Sequence, residues 1–184
     1  GLVQGGTTYL AHTEDEMERY RVWLSHAQGL GVDSQMLNAT QVSNLIPNLQ
    51  GAHVGGIHTA SDMRAEPWVA VPAFAGIAAR AGAKIVENCA VRSLDMAAGR
   101  VVGVVTEAGT IKASEVVLAG GAWSALFLRN MGVALPQLSI RATVAATQAL
   151  PVVQMGGVAD KNFAFRPRAD GGYSLASGRF AEMF

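Results

Sequence analysis

The sequence predicts a mixed fold of the α+β or α/β class, with short strands running through its centre and helices before and after them. Three observations carry this. Between Lys84 and Leu118, β-rich runs follow one another at short intervals, separated by glycine-containing turns such as AAGR and EAGT. The last of them, VVLAGG, is continuously apolar rather than alternating, the pattern of a strand buried on both faces. Upstream, Met17, Tyr20, Trp23, Leu24 and Ala27 recur at helical spacing.

In chain order, Leu2 to Ala11 is rich in β-formers and reads as strand. Thr13, followed by Glu14, Asp15 and Glu16, gives an N-cap with acids where the helix dipole favours them, and Gly29 to Gly31 ends that helix. Its apolar stripe is read as core packing. Asn38 to Leu45 reads as a second short helix, capped by Asn38 or Thr40 and closed by Pro47. Val54 to Thr59 is a predicted strand carrying His58. From Pro67, PWVAVPAFAGIAARAG suits a helix with proline in its first turn and Gly82 at its C-cap. Pro72 lacks an N–H to donate and is expected to kink that helix or delay its start.

The central strands are Lys84 to Glu87, Ala90 to Asp95, Arg100 to Glu107, Thr110 to Ala113 and Glu115 to Leu118, expected to form a meander feeding back into a sheet. Ala122 to Gly132 then reads as helix. Gln137 to Ala149 and Phe163 to Ser177 read as strand, the second split by a turn at Asp170, Gly171 and Gly172.

Composition narrows the function. Half of the 184 residues are hydrophobic and mean hydropathy is +0.25, while 15% are charged, against about 25% in soluble proteins. That deficit predicts a surface covered by a cofactor, a partner subunit or the rest of a longer polypeptide. Fourteen basic residues balance fourteen acidic ones without long runs of either sign, which argues against nucleic acid or anionic lipid as partner. The lone Cys89 excludes an internal disulfide framework and a multi-cysteine zinc site; no metal is expected, and the cytoplasm is the expected location. The longest uncharged run, Ala142 to Ala159, is broken by polar residues, proline and glycines, so no transmembrane helix is predicted. The opening at Gly1, with neither an initiator Met nor a signal-like segment, reads as a cut end.

Chemistry concentrates between Ile85 and Leu126. Small residues after an apolar run let a ligand approach the backbone, and the helix beginning in GAWSAL presents unpaired N–H groups to an anionic group such as a pyrophosphate. The same residues also suit a tight turn that needs glycine for its own φ angles.

The run from Arg64 to Ala125 resembles the D-amino-acid oxidase, sarcosine oxidase and glycine oxidase family of flavoproteins. The resemblance rests on order and spacing: Pro67 opening a helix, the turn Ala81 to Ala83, Val91 with Leu94, the meander Val101 to Ala113, and Val116 to Ser124. It implies a fragment of a two-domain flavoprotein, with part of a Rossmann-like FAD-binding domain (residues 64–134) between two pieces of a mixed or antiparallel-sheet substrate domain (residues 1–63 and 135–184). It implies FAD as cofactor, with Val91 against the adenine side and Gly120, Gly121, Ala122 and Trp123 lining the flavin site. Trp123 is alternatively a core anchor.

The family's glycine-rich G-x-G-x-x-G unit is absent. Gly29-Leu30-Gly31 lacks the third glycine and follows a helix rather than a strand. The chain alone is therefore expected to be inactive. The implied reaction is oxidation of an amino acid or secondary amine by hydride transfer to flavin, giving an imine. The other reading is a non-catalytic subunit or interaction module that completes a flavin site with a second chain. His58, Arg64, Arg141 and Arg166 are the candidate substrate contacts, an arginine being suited to a carboxylate and His58 by type to general-base work. No catalytic residue is assigned. Cys89, flanked by predicted strand, is expected to be buried and inert.

Overall fold

The computed structural model describes the backbone of residues 1–183 and the side chains of residues 1–178. The chain divides into two compact units, one of Gly1–Phe74 with Arg141–Glu182, the other centred on Ala75–Ile140.

The first unit opens with strands β1 (Val3–Gln4) and β2 (Thr7–Ala11), then helix α1 (Glu14–Ala27), strand β3 (Ser34–Asn38), helix α2 (Ala39–Leu45), and strands β4 (Gly55–Thr59) and β5 (Met63–Arg64). Helix α3 (Pro67–Arg80) starts in this unit and ends in the other. Strands β6 (Val91–Ala97), β7 (Arg100–Thr106) and β8 (Gly109–Lys112), and helix α4 (Ser124–Arg129), belong to the second unit. The chain then contributes β9 (Ile140–Ala146), β10 (Gly157–Ala159), β11 (Phe163–Pro167) and β12 (Tyr173–Met183) to a seven-stranded sheet ordered β3-β4-β2-β10-β11-β12-β9. Its β2–β10 pair is parallel; the β3–β4, β2–β4, β10–β11 and β11–β12 pairs are antiparallel.

Alternation along β2 decides the core. Thr8 and Leu10 are buried while Tyr9 between them is exposed. Leu10 and Val158 of the sheet meet Val42 and Ile46 from the α2 segment, with Leu37, Leu45, Leu49 and Phe165 around them. Burying each large aliphatic here is worth about 1.5–3 kcal/mol. Helix α2 starts on a full capping box: Asn38 accepts from the Gln41 N–H while the Gln41 side chain accepts from the Asn38 N–H. Thr13 caps α1 as predicted, accepting from the Glu16 N–H. Of the α1 stripe, Met17 and Ala27 are buried, but Trp23 stays half-exposed and lines a cavity with Tyr9 and Tyr20.

Neither β3 nor β10 was expected from the sequence. SQMLN and GVA carry few β-formers, and their strand geometry comes from partners: β3 from β4, β10 from β2 and β11. Helix α3 runs from Pro67 through Pro72 to Arg80, so its start is not delayed to Pro72. The one hydrogen bond that Pro72 removes would have satisfied the carbonyl of Trp68, a residue that is itself exposed.

The second unit confirms the meander in the order β6-β7-β8. The AAGR turn places Ala98 at φ 49° and Gly99 at φ 75°, the positive pair that a tight two-residue hairpin requires. Two expected strands are not formed. Lys84 to Glu87 and Glu115 to Leu118 have no strand pairing, and Val117 is 90% exposed, the reverse of the doubly buried strand that its composition predicted. A continuously apolar run records an environment dry on both sides but supplies no hydrogen-bonding neighbour, and among the described residues neither segment is paired into a sheet. The expected helix at Ala122 to Gly132 is a 3₁₀ turn, Gly121–Trp123, followed by the short α4. Cys89 lies in the unpaired segment before β6 and is half-buried, not within a strand.

Candidate functional site

In the second unit a cavity of about 330 Å³ is lined by Val91, Val104, Val116, Val117, Leu118, Ala119, Gly120, Trp123 and Phe127. Three of the five cofactor residues named from sequence, Val91, Gly120 and Trp123, thus face one space. Gly121 and Ala122 sit in the 3₁₀ turn beside it. Trp123 is 74% exposed, so no core packs around its ring as a core anchor would require. Gly121 adopts φ 55° with open space where a side chain would stand, a bare backbone corner. An apolar concavity with a glycine corner suits the faces of an aromatic heterocycle, and these residues fit one wall of a dinucleotide site.

In the first unit the structure brings Arg64 and Arg166 together on a carboxylate that the sequence reading passed over. Glu66, 5% exposed, accepts from Nη1 and Nη2 of Arg166 at 3.4 and 3.2 Å and from the Ala169 N–H at 2.9 Å. Nη1 of Arg64 lies 3.6 Å from its Oε1, while Nε of Arg64 donates to the carbonyl of Met155. Burial pushes the Glu66 carboxyl up, yet the Arg166 and Ala169 hydrogen bonds and the two nearby positive charges hold it below its usual range. Arg166 also lines a cavity of about 280 Å³ on the sheet, floored by small residues that include Gly157, Ala159, Ala164 and Ala176. Next to it, Arg168 is neutralised by Asp170 and lies 5.5 Å over the Trp68 ring.

The other two candidates stand differently. His58, on β4, shares a hydrogen bond of 2.9 Å between its Nδ1 and the Thr8 hydroxyl. Arg141 is an exposed residue of β9. Glu66 left only a faint sequence signal, an acid just before the proline that opens α3, and nothing local announces that it is buried. Among the described residues no group of three or more His, Cys, Asp or Glu side chains is placed to hold a metal ion, and no helix is long and apolar enough to cross a membrane.

Comparison with known proteins follows the same lines. The family described as FAD dependent oxidoreductase (DAO) matches residues 1–182. Human mitochondrial sarcosine dehydrogenase is 26% identical over 161 residues, 84% of this chain and 17% of that protein. The structure of L-amino acid deaminase from Proteus myxofaciens, solved in complex with anthranilate, superposes with a TM-score of 0.86 at 30% identity, covering 98% of this chain and 41% of that one. Glycine oxidase from Bacillus cereus gives a TM-score of 0.74 at 26% identity, covering all of this chain and 50% of its own. The chain thus spans half or less of the length of these relatives.

Proposed function

The chain belongs to the FAD dependent oxidoreductase (DAO) family, and from that premise we propose that it forms part of an enzyme oxidising an amino acid or secondary amine to an imine, which water then hydrolyses. FAD is the family's cofactor and, when bound, would supply the acceptor for a hydride from the substrate carbon next to nitrogen. The protein's own residues bind, orient and keep out water.

In this reading Val91, Gly120, Gly121, Ala122 and Trp123 hold the cofactor. Val116 to Leu118, exposed in this structure, are covered in the working enzyme by the rest of the Rossmann-like domain. The substrate lies on the small-residue floor of the sheet. Arg166, with Arg64 behind it, meets the substrate carboxylate through the bidentate geometry a guanidinium offers. The observation that carries this is the place of Arg166, at the edge of a sheet-face cavity whose small side chains leave room for a ligand. His58 and Arg141 are secondary candidates for contact with the substrate.

The test is anaerobic mixing of the full-length, FAD-loaded protein with a panel of α-amino acids and N-methyl amino acids. Bleaching of the flavin's visible absorbance by at least one of them is expected. A flavin that stays oxidised throughout the panel overturns the reading, and the speed of recolouring in air sorts oxidase from dehydrogenase.

A further inference from the structure

We propose that Glu66 is the positioning residue of the substrate site, holding Arg166 in place at the sheet-face cavity before substrate arrives. The inference rests on the reading of Arg166 as the carboxylate contact.

Burial makes Glu66 unusual. An ionised carboxylate taken out of water costs several kcal/mol unless its oxygens are satisfied. Here they are met by both terminal nitrogens of Arg166, by the Ala169 N–H and by the charge of Arg64. These partners come from three places: β5, β11, and the turn that begins beyond β11. One residue therefore locks β11 and its turn against the segment that leads into α3.

Charge balance gives the lock a direction. Two guanidiniums face one carboxylate, so the cluster carries one surplus positive charge, the complement of a single substrate carboxylate. Arg168 does not add to it, since Asp170 cancels its charge. A free arginine side chain has rotamer entropy to lose on binding, and a fork already held by two hydrogen bonds has lost it in advance. Glu66 thus acts on the substrate through Arg166 and not by contact, as the supporting shell of a binding group does.

The experiment uses the full-length, FAD-loaded protein with Glu66→Gln, Glu66→Asp and Arg166→Met. It measures KM and kcat for the best substrate, the Kd of anthranilate from the change in flavin absorbance, and the melting temperature. Glu66→Gln is expected to raise KM and the anthranilate Kd by about tenfold, with a far smaller fall in kcat, the signature of lost binding rather than lost chemistry. Glu66→Asp, which keeps the charge, is expected to recover part of the loss. A lower melting temperature with KM and Kd unchanged shows a staple only and overturns the proposal. If Glu66→Gln does not fold, Glu66→Asp decides: wild-type KM and Kd in a protein of lowered melting temperature overturn it too. Arg166→Met separates the two claims. If that change leaves KM and Kd untouched, the reading of Arg166 fails; if it raises both while Glu66→Gln does not, only the positioning role of Glu66 fails.

Discussion

Nε2 of His12 lies 2.6 Å from Oδ2 of Asp160, while Nδ1 of the same ring lies 2.8 Å from the carbonyl oxygen of Ala52. Both ring nitrogens face acceptors, an arrangement that the doubly protonated imidazolium satisfies at both ends. Asp160 can accept because its other oxygen is held by the N–H groups of Asn162 and Phe163. Around this pair, Glu16 accepts from the His12 N–H and pairs with Lys161 at 3.1 Å, and His53 meets the His12 ring edge-on. The knot ties the end of β2 and the start of α1 to the β10–β11 turn.

Its stability follows pH with a definite sign. The hydrogen bond to Asp160 raises the His12 pKa above its ordinary 6.5. That contribution is full below about 6.5 and is lost as pH rises through the folded value. Burial pushes Asp160 up, but the Phe163 N–H, His12 and the Asn162 N–H together hold it below its ordinary 3.8. That contribution is present above about 3.8 and is lost as pH falls through the lowered value. The share of the melting temperature that this pair supplies is expected to be flat between these limits and to fall on both sides. His12→Asn is expected to remove the His12 share of the alkaline fall and to cost about 1–3 kcal/mol near pH 6, because it leaves the buried Asp160 short of a partner. An alkaline limb unchanged in that variant counts against the imidazolium.

Gly156 is closed to any side chain. A Cβ there would stand 2.0 Å from the Gly6 carbonyl oxygen and 2.2 Å from that of Gly5, both backbone atoms without freedom to move aside. The parallel pairing of β2 with β10 starts at this approach. Gly156→Ala is expected to cost about 1–3 kcal/mol, read from denaturant unfolding. Wild-type stability in the variant contradicts the packing described.

Pro72 sits inside α3 and cannot donate to the carbonyl of Trp68. Pro72→Ala restores that bond without crowding, since Val71 and Phe74 on either side are well exposed. A gain of about 1–2 kcal/mol is expected, seen as a higher melting temperature.

Trp123 separates a cofactor wall from a core anchor. Removal of a ring that is 74% exposed leaves no cavity behind. Trp123→Ala in the full-length apo-protein is expected to change stability by less than about 0.5 kcal/mol. Loss of a ring contact is expected to raise the Kd for FAD about three- to tenfold, measured by flavin fluorescence. A large stability loss with FAD affinity intact points to the core instead.

Legibility in the sequence tracked the range of the forces. Thr13, Asn38 and the AAGR turn act within four residues of themselves, and each was readable as cap or turn. VVLAGG misled because apolar composition states a preference for a dry environment, whereas strand geometry needs neighbours. On the cofactor side, Val91, Gly120 and Trp123 were named by order and spacing, and the fold lines one cavity with them. On the substrate side, Arg64 and Arg166 were named singly. Their union through Glu66 spans a separation of 100 residues along the chain, beyond any local pattern.

The sequence by itself determined where helices α1, α2 and α3 begin, that the central run holds a meander, and which family the chain belongs to, because propensity, capping and motif order are local and additive along the chain. Only the tertiary structure decided that β3 and β10 are strands, that Glu66 is a buried hub for two arginines, and that both ring nitrogens of His12 face acceptors. Those outcomes depend on partners brought from distant positions. Burial and a shared hydrogen bond have no value until the chain has closed around them.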